Sequence, residues 1–205
     1  MDDIETIEEL FQLTQERLVG QAGAISITFA NRAHIYSWNY VICYLLKELL
    51  PSLFTFLGVD KQPGSHTQEF PDFVANFNGN PIDVEVKALN INNAPAFDLG
   101  NFFSFLDTTF TEPGKLNARY FILGYRPAND GFTQGFTLER VYLKHIWEIT
   151  NNTRNYPIGL QVKRGNPYAM RPSNFYRNED NHFENIFEFV EAVADAYRHF
   201  EHVSD

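Results

Sequence analysis

The sequence predicts an α+β domain, a mixed central β-sheet flanked by helices, with residues 1–205 forming one domain. Three observations carry that prediction. Apolar residues recur at helical spacing near both ends of the chain, over 3–18 and 182–200. An Asn78-Gly79 pair between two runs of alternating character signals a tight β-hairpin. The run Ala118–Tyr125 (ARYFILGY) is too apolar for a solvent-facing edge and reads as a buried strand. A chain of 205 residues is long enough to bury most of its apolar surface around a single core.

Taken in order, residues 3–18 place Ile4, Ile7, Leu10, Phe11 and Leu18 on one helical face, and Gly20 and Gly23 then punctuate. A second helix is predicted from Asn31 to Leu50, ended by Pro51, with Ile35, Trp38, Ile42, Leu45 and Leu49 as its buried stripe. Ser52–Val59 predicts a short strand, and the turn-rich stretch around Pro63, Gly64 and Ser65 leads into the hairpin. Beyond it, Asn90, Asn92 and Asn93 predict a loop, Phe97–Leu106 a short helix, and Pro113-Gly114 a turn. Phe136–Tyr142 and Pro157–Lys163 are further strands, with a helical segment at Leu143–Ile149 between them. The closing helix carries Phe183, Ile186, Phe187, Val190, Val193, Ala194, Tyr197 and Phe200 inward and acids outward. No repeat, low-complexity segment or interdomain linker is visible.

The hairpin FPDFVANFNGNPIDVEVK, residues 70–87, carries the chemistry. With Asn78 and Gly79 as a type I′ loop, Asp72 faces Glu85, Val74 faces Asp83 and Phe70 faces Lys87. Strand alternation puts Phe73, Ala75, Phe77, Ile82, Val84 and Val86 on one face, and Asp72, Asp83, Glu85 and Lys87 on the other. Carboxylates opposed in this way have Cβ atoms roughly 5 Å apart and repel. A bridging divalent cation removes the repulsion, and oxygen-seeking Mg²⁺ suits such a pair, completing its shell with water and phosphate. Lys87, one same-face step beyond Glu85, is within reach of a water on that metal. The arrangement points to phosphodiester hydrolysis; the alternative is the charged solvent face of an edge hairpin.

Pro71-Asp72, then twelve residues, then Glu85-Val86-Lys87 resembles the signature of the PD-(D/E)XK nucleases, best known from type II restriction endonucleases. The resemblance covers about residues 32–125. It implies a restriction-endonuclease-like core, in which the acidic hairpin is followed by a helix and a strand beside it. It also implies that Asp72 and Glu85 bind the metal, that the Val86 carbonyl is a further ligand, and that Lys87 orients or activates the attacking water. Mg²⁺ is the implied cofactor, with Mn²⁺ able to substitute. Some members support the metal from the helix before the hairpin, which brings in Glu48 and Asn39; a solvated helix end is the plainer reading of Glu48. Asp83 lacks a following lysine at the motif spacing and ranks as accessory. His66 and His145 have no acid–base partner in the sequence and read as surface or core residues.

The formal net charge of −10 argues against loose binding to bulk DNA, yet the charge is uneven. Residues 1–16 hold six acids and no base, and residues 179–205 hold eight acids and one Arg. Residues 149–178 carry five bases and no acid. Within them, GLQVKRGNPYAMRPSNFYRN sets Gln161, Lys163, Arg164 and Arg171 among Asn166, Tyr168, Asn174, Tyr176 and Arg177, the donor-rich mixture that phosphate contact and base reading require. Gln-x-Lys followed by Arg-Pro is similar to the closing part of some small restriction enzymes. A basic surface paired with the acidic terminal helix is the structural alternative.

The acidic N-terminus is not a secretory or transit peptide, and no apolar run reaches the length of a membrane span. One cysteine, Cys43, makes no internal disulfide and reads as a buried inert thiol, and the six His show no zinc spacing. These features fit a reduced, cytoplasmic protein. The combined expectation is a Mg²⁺-dependent type II restriction endonuclease cutting double-stranded DNA as a homodimer over a palindromic site, with a cognate DNA methyltransferase as genetic partner. Three alternatives stand beside it: a repair or junction-resolving nuclease of the same fold, a non-catalytic DNA-binding relative, and a protein-interaction domain suggested by the acidic ends.

Overall fold

In chain order the elements are α1 (Ile7–Leu18), β1 (Ala22–Phe29), β2 (Arg32–Tyr36), α2 (Asn39–Phe56), β3 (Asp60–Pro63), β4 (Phe73–Phe77), β5 (Asn80–Asn90), β6 (Gly100–Asn101), α3 (Phe102–Thr111), β7 (Arg119–Asn129), β8 (Gln134–Lys144), β9 (Leu160–Lys163), β10 (Asn166–Met170) and α4 (Ile186–Glu201). This is a computed structural model, and it describes residues 4–36, 39–64, 70–129, 134–178 and 180–201. Trp38, Ser65 and His66 lie outside the described residues. The elements fall into two compact units, residues 1–94 with 119–143 and residues 95–118 with 144–205.

In the first unit the described strands form one mixed sheet in the order β2-β1-β8-β7-β5-β4-β3. The predicted hairpin forms β4 and β5. Asn78 and Gly79 both take positive φ, 51° and 83°, as a type I′ loop demands. The register is the predicted one, with Phe73 opposite Val84, Val74 opposite Asp83 and Ala75 opposite Ile82. The ladder begins at Phe73, so the expected pairings of Asp72 with Glu85 and of Phe70 with Lys87 lie beyond it. The hairpin is not at an edge: β3 pairs antiparallel with β4, and β7 runs parallel to β5. Its apolar face, Phe73, Ala75, Phe77, Val84 and Val86, is buried in one core with Phe121 and Leu123 of β7 and with the stripes of α1 and α2. Phe54 of α2 meets Phe73 and Phe121 edge-on, with ring centroids 5.6 and 5.2 Å apart. Each such contact adds about 0.5–1.5 kcal/mol beyond the area it buries.

The helix predicted at 31–50 is replaced at its start by a hairpin. β1 and β2 pair antiparallel, with Ala30 and Asn31 at φ 49° and 58° between them. The β-branched run in AGAISITF favours a strand, and Asn31 serves in the turn rather than as a helix cap. α2 then begins at Asn39 and runs through Pro51 to Phe56, so the strand expected at 52–59 is helical in its first five residues. Pro51 forgoes one backbone bond, and burial of Leu50 and Phe54 on either side of it offsets the loss. The buried stripe of α2 is Ile42, Leu46, Leu50 and Phe54; the expected Leu45 and Leu49 are 40% and 45% exposed. Cys43 is half-buried, its Sγ 3.6 Å from the Tyr125 hydroxyl, and burial pushes its thiol pKa up, which keeps it inert.

In the second unit β6, β10 and β9 form a three-stranded sheet with β10 in the middle. α3 starts later than the predicted 97–106, because Asn101 caps it by accepting the Ser104 N–H at 3.1 Å. The helix expected at 143–149 is only a 3₁₀ turn at Ile146–Glu148, since β8 continues to Lys144. β9 is the C-terminal half of the strand predicted at 157–163. β10 contains Pro167, which hides a strand in a sequence-level reading. The terminal helix forms at Ile186–Glu201 with Phe189, Ala192, Val193, Ala196 and Phe200 buried, so its inward face is rotated from the expected one: Phe187, Val190 and Tyr197 are 81%, 42% and 39% exposed.

Candidate active site

Asp72, one residue before the β4–β5 ladder, and Glu85 come together through side chains reaching across to main chain. The Asp72 N–H donates to Glu85 Oε2 at 3.2 Å, and the Val86 N–H donates to Asp72 Oδ2 at 2.8 Å. Each carboxylate is therefore held by the backbone of the opposite segment. Glu85 is 7% exposed, an unusual place for an acid unless it is paired. Lys87 provides the pairing, with Nζ 2.6 Å from Glu85 Oε1. Val86 contributes its backbone to the same place while its side chain is buried on the apolar face.

The chain just before β4 is set by close packing against β3. The Gly64 N–H donates to the Asp72 carbonyl at 3.2 Å, and a Cβ on Gly64 would fall 2.2 Å from the Pro71 carbonyl oxygen. Only glycine permits that approach. Across β5, Glu85 is the register partner of Tyr120, whose ring is 2% exposed. Burial first, and then the negative charges of Glu85 and Asp72, hold the Tyr120 phenol pKa well above its ordinary value. Tyr120 is thus a neutral wall beside the acids, and it follows from the parallel pairing of β5 with β7.

Lys47 of α2 is the residue that sequence reasoning passes over. Its Nζ lies 3.0 Å from Asp72 Oδ1. The usable signal is a lysine inside the apolar run VICYLLKELL, but it points nowhere until the phase of the helix is known. Glu48, its neighbour, is exposed, and its carbonyl accepts the Ser52 hydroxyl at 3.2 Å. Asn39 is the first residue of α2. Asp83 sits two residues before Glu85 on the same strand face, opposite Val74.

The donor set fits a hard divalent cation. Two carboxylates lie side by side, and among the described residues no cluster of three or more His, Cys, Asp and Glu forms a metal cage. Two protein carboxylates with the remainder from water and phosphate suit a hard divalent cation at a phosphate-processing site.

The residues predicted to contact DNA lie in the second unit. Gln161 is half-buried on β9, and Lys163 ends that strand with its Nζ 3.2 Å from the centroid of the Tyr168 ring. Arg164 and Gly165 form the two-residue loop between β9 and β10, at φ 54° and 82°. Arg164 is exposed there. Arg171 is ion-paired with Asp98.

The chain is similar to known proteins over most of its length. The family model for NgoBV restriction endonuclease matches residues 4–204. The type II restriction enzyme NlaIV of Neisseria lactamica is 29% identical over 196 residues, covering 93% of this chain and 79% of that protein. The type II restriction enzyme NgoBV of Neisseria gonorrhoeae is 26% identical over 162 residues, covering 78% of this chain and 90% of that protein. The solved structure of NlaIV restriction endonuclease superposes with a TM-score of 0.82 at 27% identity, over 94% of this chain and 80% of that one.

Proposed function

We propose, for a chain that belongs to the NgoBV restriction endonuclease family and is therefore a site-specific deoxyribonuclease of type II, that Asp72, Glu85 and Lys87 form its catalytic centre. The observation that carries this reading is the reciprocal locking of Asp72 and Glu85 with Lys87 on the same strand face. Asp72, Glu85 and the Val86 carbonyl would hold Mg²⁺, or Mn²⁺ in its place. When bound, the cation supplies Lewis-acid stabilisation of the scissile phosphate and a more acidic water. Lys87, on the same strand face as Glu85, positions that water for in-line attack. Tyr120 keeps one side of the site free of bulk water.

The substrate in this reading is double-stranded DNA. Gln161, Lys163, Arg164 and Arg171 contact it, with Arg164 foremost because Arg171 already answers Asp98. Residues 1–205 act as a single nuclease domain, a symmetric homodimer makes the two cuts, and a cognate methyltransferase protects the host site. No helix among the described residues is long and apolar enough to cross a membrane, in keeping with work in the cytoplasm. Digestion of a sequenced plasmid with Mg²⁺, followed by run-off sequencing of the ends, should give discrete fragments with one recurrent end sequence. Asp72→Ala and Glu85→Ala should each lower the rate by at least about a thousandfold with the circular dichroism spectrum unchanged. Native-level cutting by either variant rejects the assignment.

A further inference from the structure

Lys47 has no place in the motif, yet it engages the motif's first acid. It lies on α2 beside the buried Leu46 and Leu50, and its side chain is itself only one-third exposed at 33%. Asp72 has two carboxylate oxygens: Oδ2 accepts the Val86 N–H, and Oδ1 meets the Lys47 ammonium at 3.0 Å. Lys87 holds Glu85 in the same way. Two carboxylates and two ammoniums therefore balance within the site. A divalent cation taking Asp72 through Oδ1 must replace the Lys47 ammonium, because two positive groups on one oxygen repel in a part-buried setting. The displaced ammonium remains tethered to α2 within a side-chain length of the site. The anion that arrives with the substrate is a phosphate, to which a lysine binds as a point charge.

We infer that Lys47 is an exchangeable counter-ion, holding the metal-facing oxygen of Asp72 in the free enzyme and passing to a DNA phosphate when metal and DNA bind together. The inference rests on Asp72 being a metal ligand. It makes the free protein a poor metal binder and couples metal affinity to DNA occupancy, the coupling being the same in both directions.

The test is a Mn²⁺ titration of the DNA-free protein, read by the electron paramagnetic resonance signal of the free aqua ion, beside steady-state plasmid cleavage at saturating Mg²⁺. Lys47→Met should bind Mn²⁺ at least about fivefold more tightly than the native protein, while its kcat falls at least about tenfold. Lys47→Arg, which keeps the charge, should return Mn²⁺ affinity to within about twofold of native. Unchanged or weaker Mn²⁺ binding by Lys47→Met, or a native kcat, overturns the inference; Lys47→Gln is read in the same way if Lys47→Met does not fold. Asp72→Ala separates the two levels. If it binds Mn²⁺ as the native protein does, the metal-site reading itself has failed; if it loses binding while Lys47→Met is native-like, only the role of Lys47 has failed.

Discussion

Among the described residues three hairpins turn on two residues at positive φ, and two of them share a glycine at the second loop position and differ in what occupies the first. β4–β5 turns at Asn78-Gly79 and β9–β10 at Arg164-Gly165, each with both residues at positive φ. The left-handed conformation costs an ordinary side chain about 1–2 kcal/mol, and Asn tolerates it through local hydrogen bonding. Asn78 answers the backbone. Arg164 stands against it, exposed, beside a lysine braced over Tyr168, in a stretch of five bases and no acid. The first loop serves only the register of the strands below it, so its residues are those the turn prefers. In the second, under the proposed function, the contact of Arg164 with DNA outweighs the preference of the turn.

Three substitutions test that contrast. The largest effect is expected at the base of the first hairpin. Gly64→Ala places a Cβ 2.2 Å from the Pro71 carbonyl oxygen, forcing β3 and the Asp72 segment apart. A shift of about 1 Å in a positioned group can cost on the order of a hundredfold in rate, so plasmid cleavage should fall by about that factor with helical content unchanged. A native rate for Gly64→Ala shows that Asp72 does not depend on β3.

The middle effect is expected at the tip of the second hairpin. Arg164→Asn gives that loop the residue its backbone prefers, so urea unfolding should show stability raised by about 0.5–1 kcal/mol. DNA binding should nonetheless weaken about tenfold, with the salt slope reduced by about one if the contact is to phosphate. Loss of stability in this variant would break the contrast between the two loops. Asn78→Ala gives the smallest functional effect: stability down by about 1 kcal/mol in the same assay, with cleavage within about twofold of native at 25 °C. A large loss of activity there would mean that the loop does more than hold register.

Legibility in the sequence follows the same division. The β4–β5 register is readable because the Asn-Gly turn and strict alternation are both local signals, and it places Asp72, just before the ladder, near enough to Glu85 for side-chain-to-backbone contact. The burial of β7 is readable from its uniform apolarity. The phase of α2 is not, because VICYLLKELL is apolar on most of its circumference, and periodicity cannot choose between Leu45 with Leu49 and Leu46 with Leu50. Misjudging that phase hides Lys47 and promotes Glu48. The β1–β2 hairpin escapes notice because Ala30 is no turn former, and the β9–β10 hairpin because Arg164 is none either. Pro51 misleads in the opposite direction: tertiary burial of Leu50 and Phe54 carries the helix through it.

The mutual grip of Asp72 on the Val86 amide and of Glu85 on the Asp72 amide has an evolutionary corollary. The interval between the two acids is counted along the ladder and not along the chain. A residue added to each strand at the tip lengthens the hairpin and leaves both contacts in place, whereas a single added residue turns one acid to the wrong face. A hairpin that keeps both contacts without a bulge therefore changes length by pairs. The twelve residues between Asp72 and Glu85 are one member of an even-numbered series, and divergent relatives should be sought at ten and fourteen as readily as at twelve.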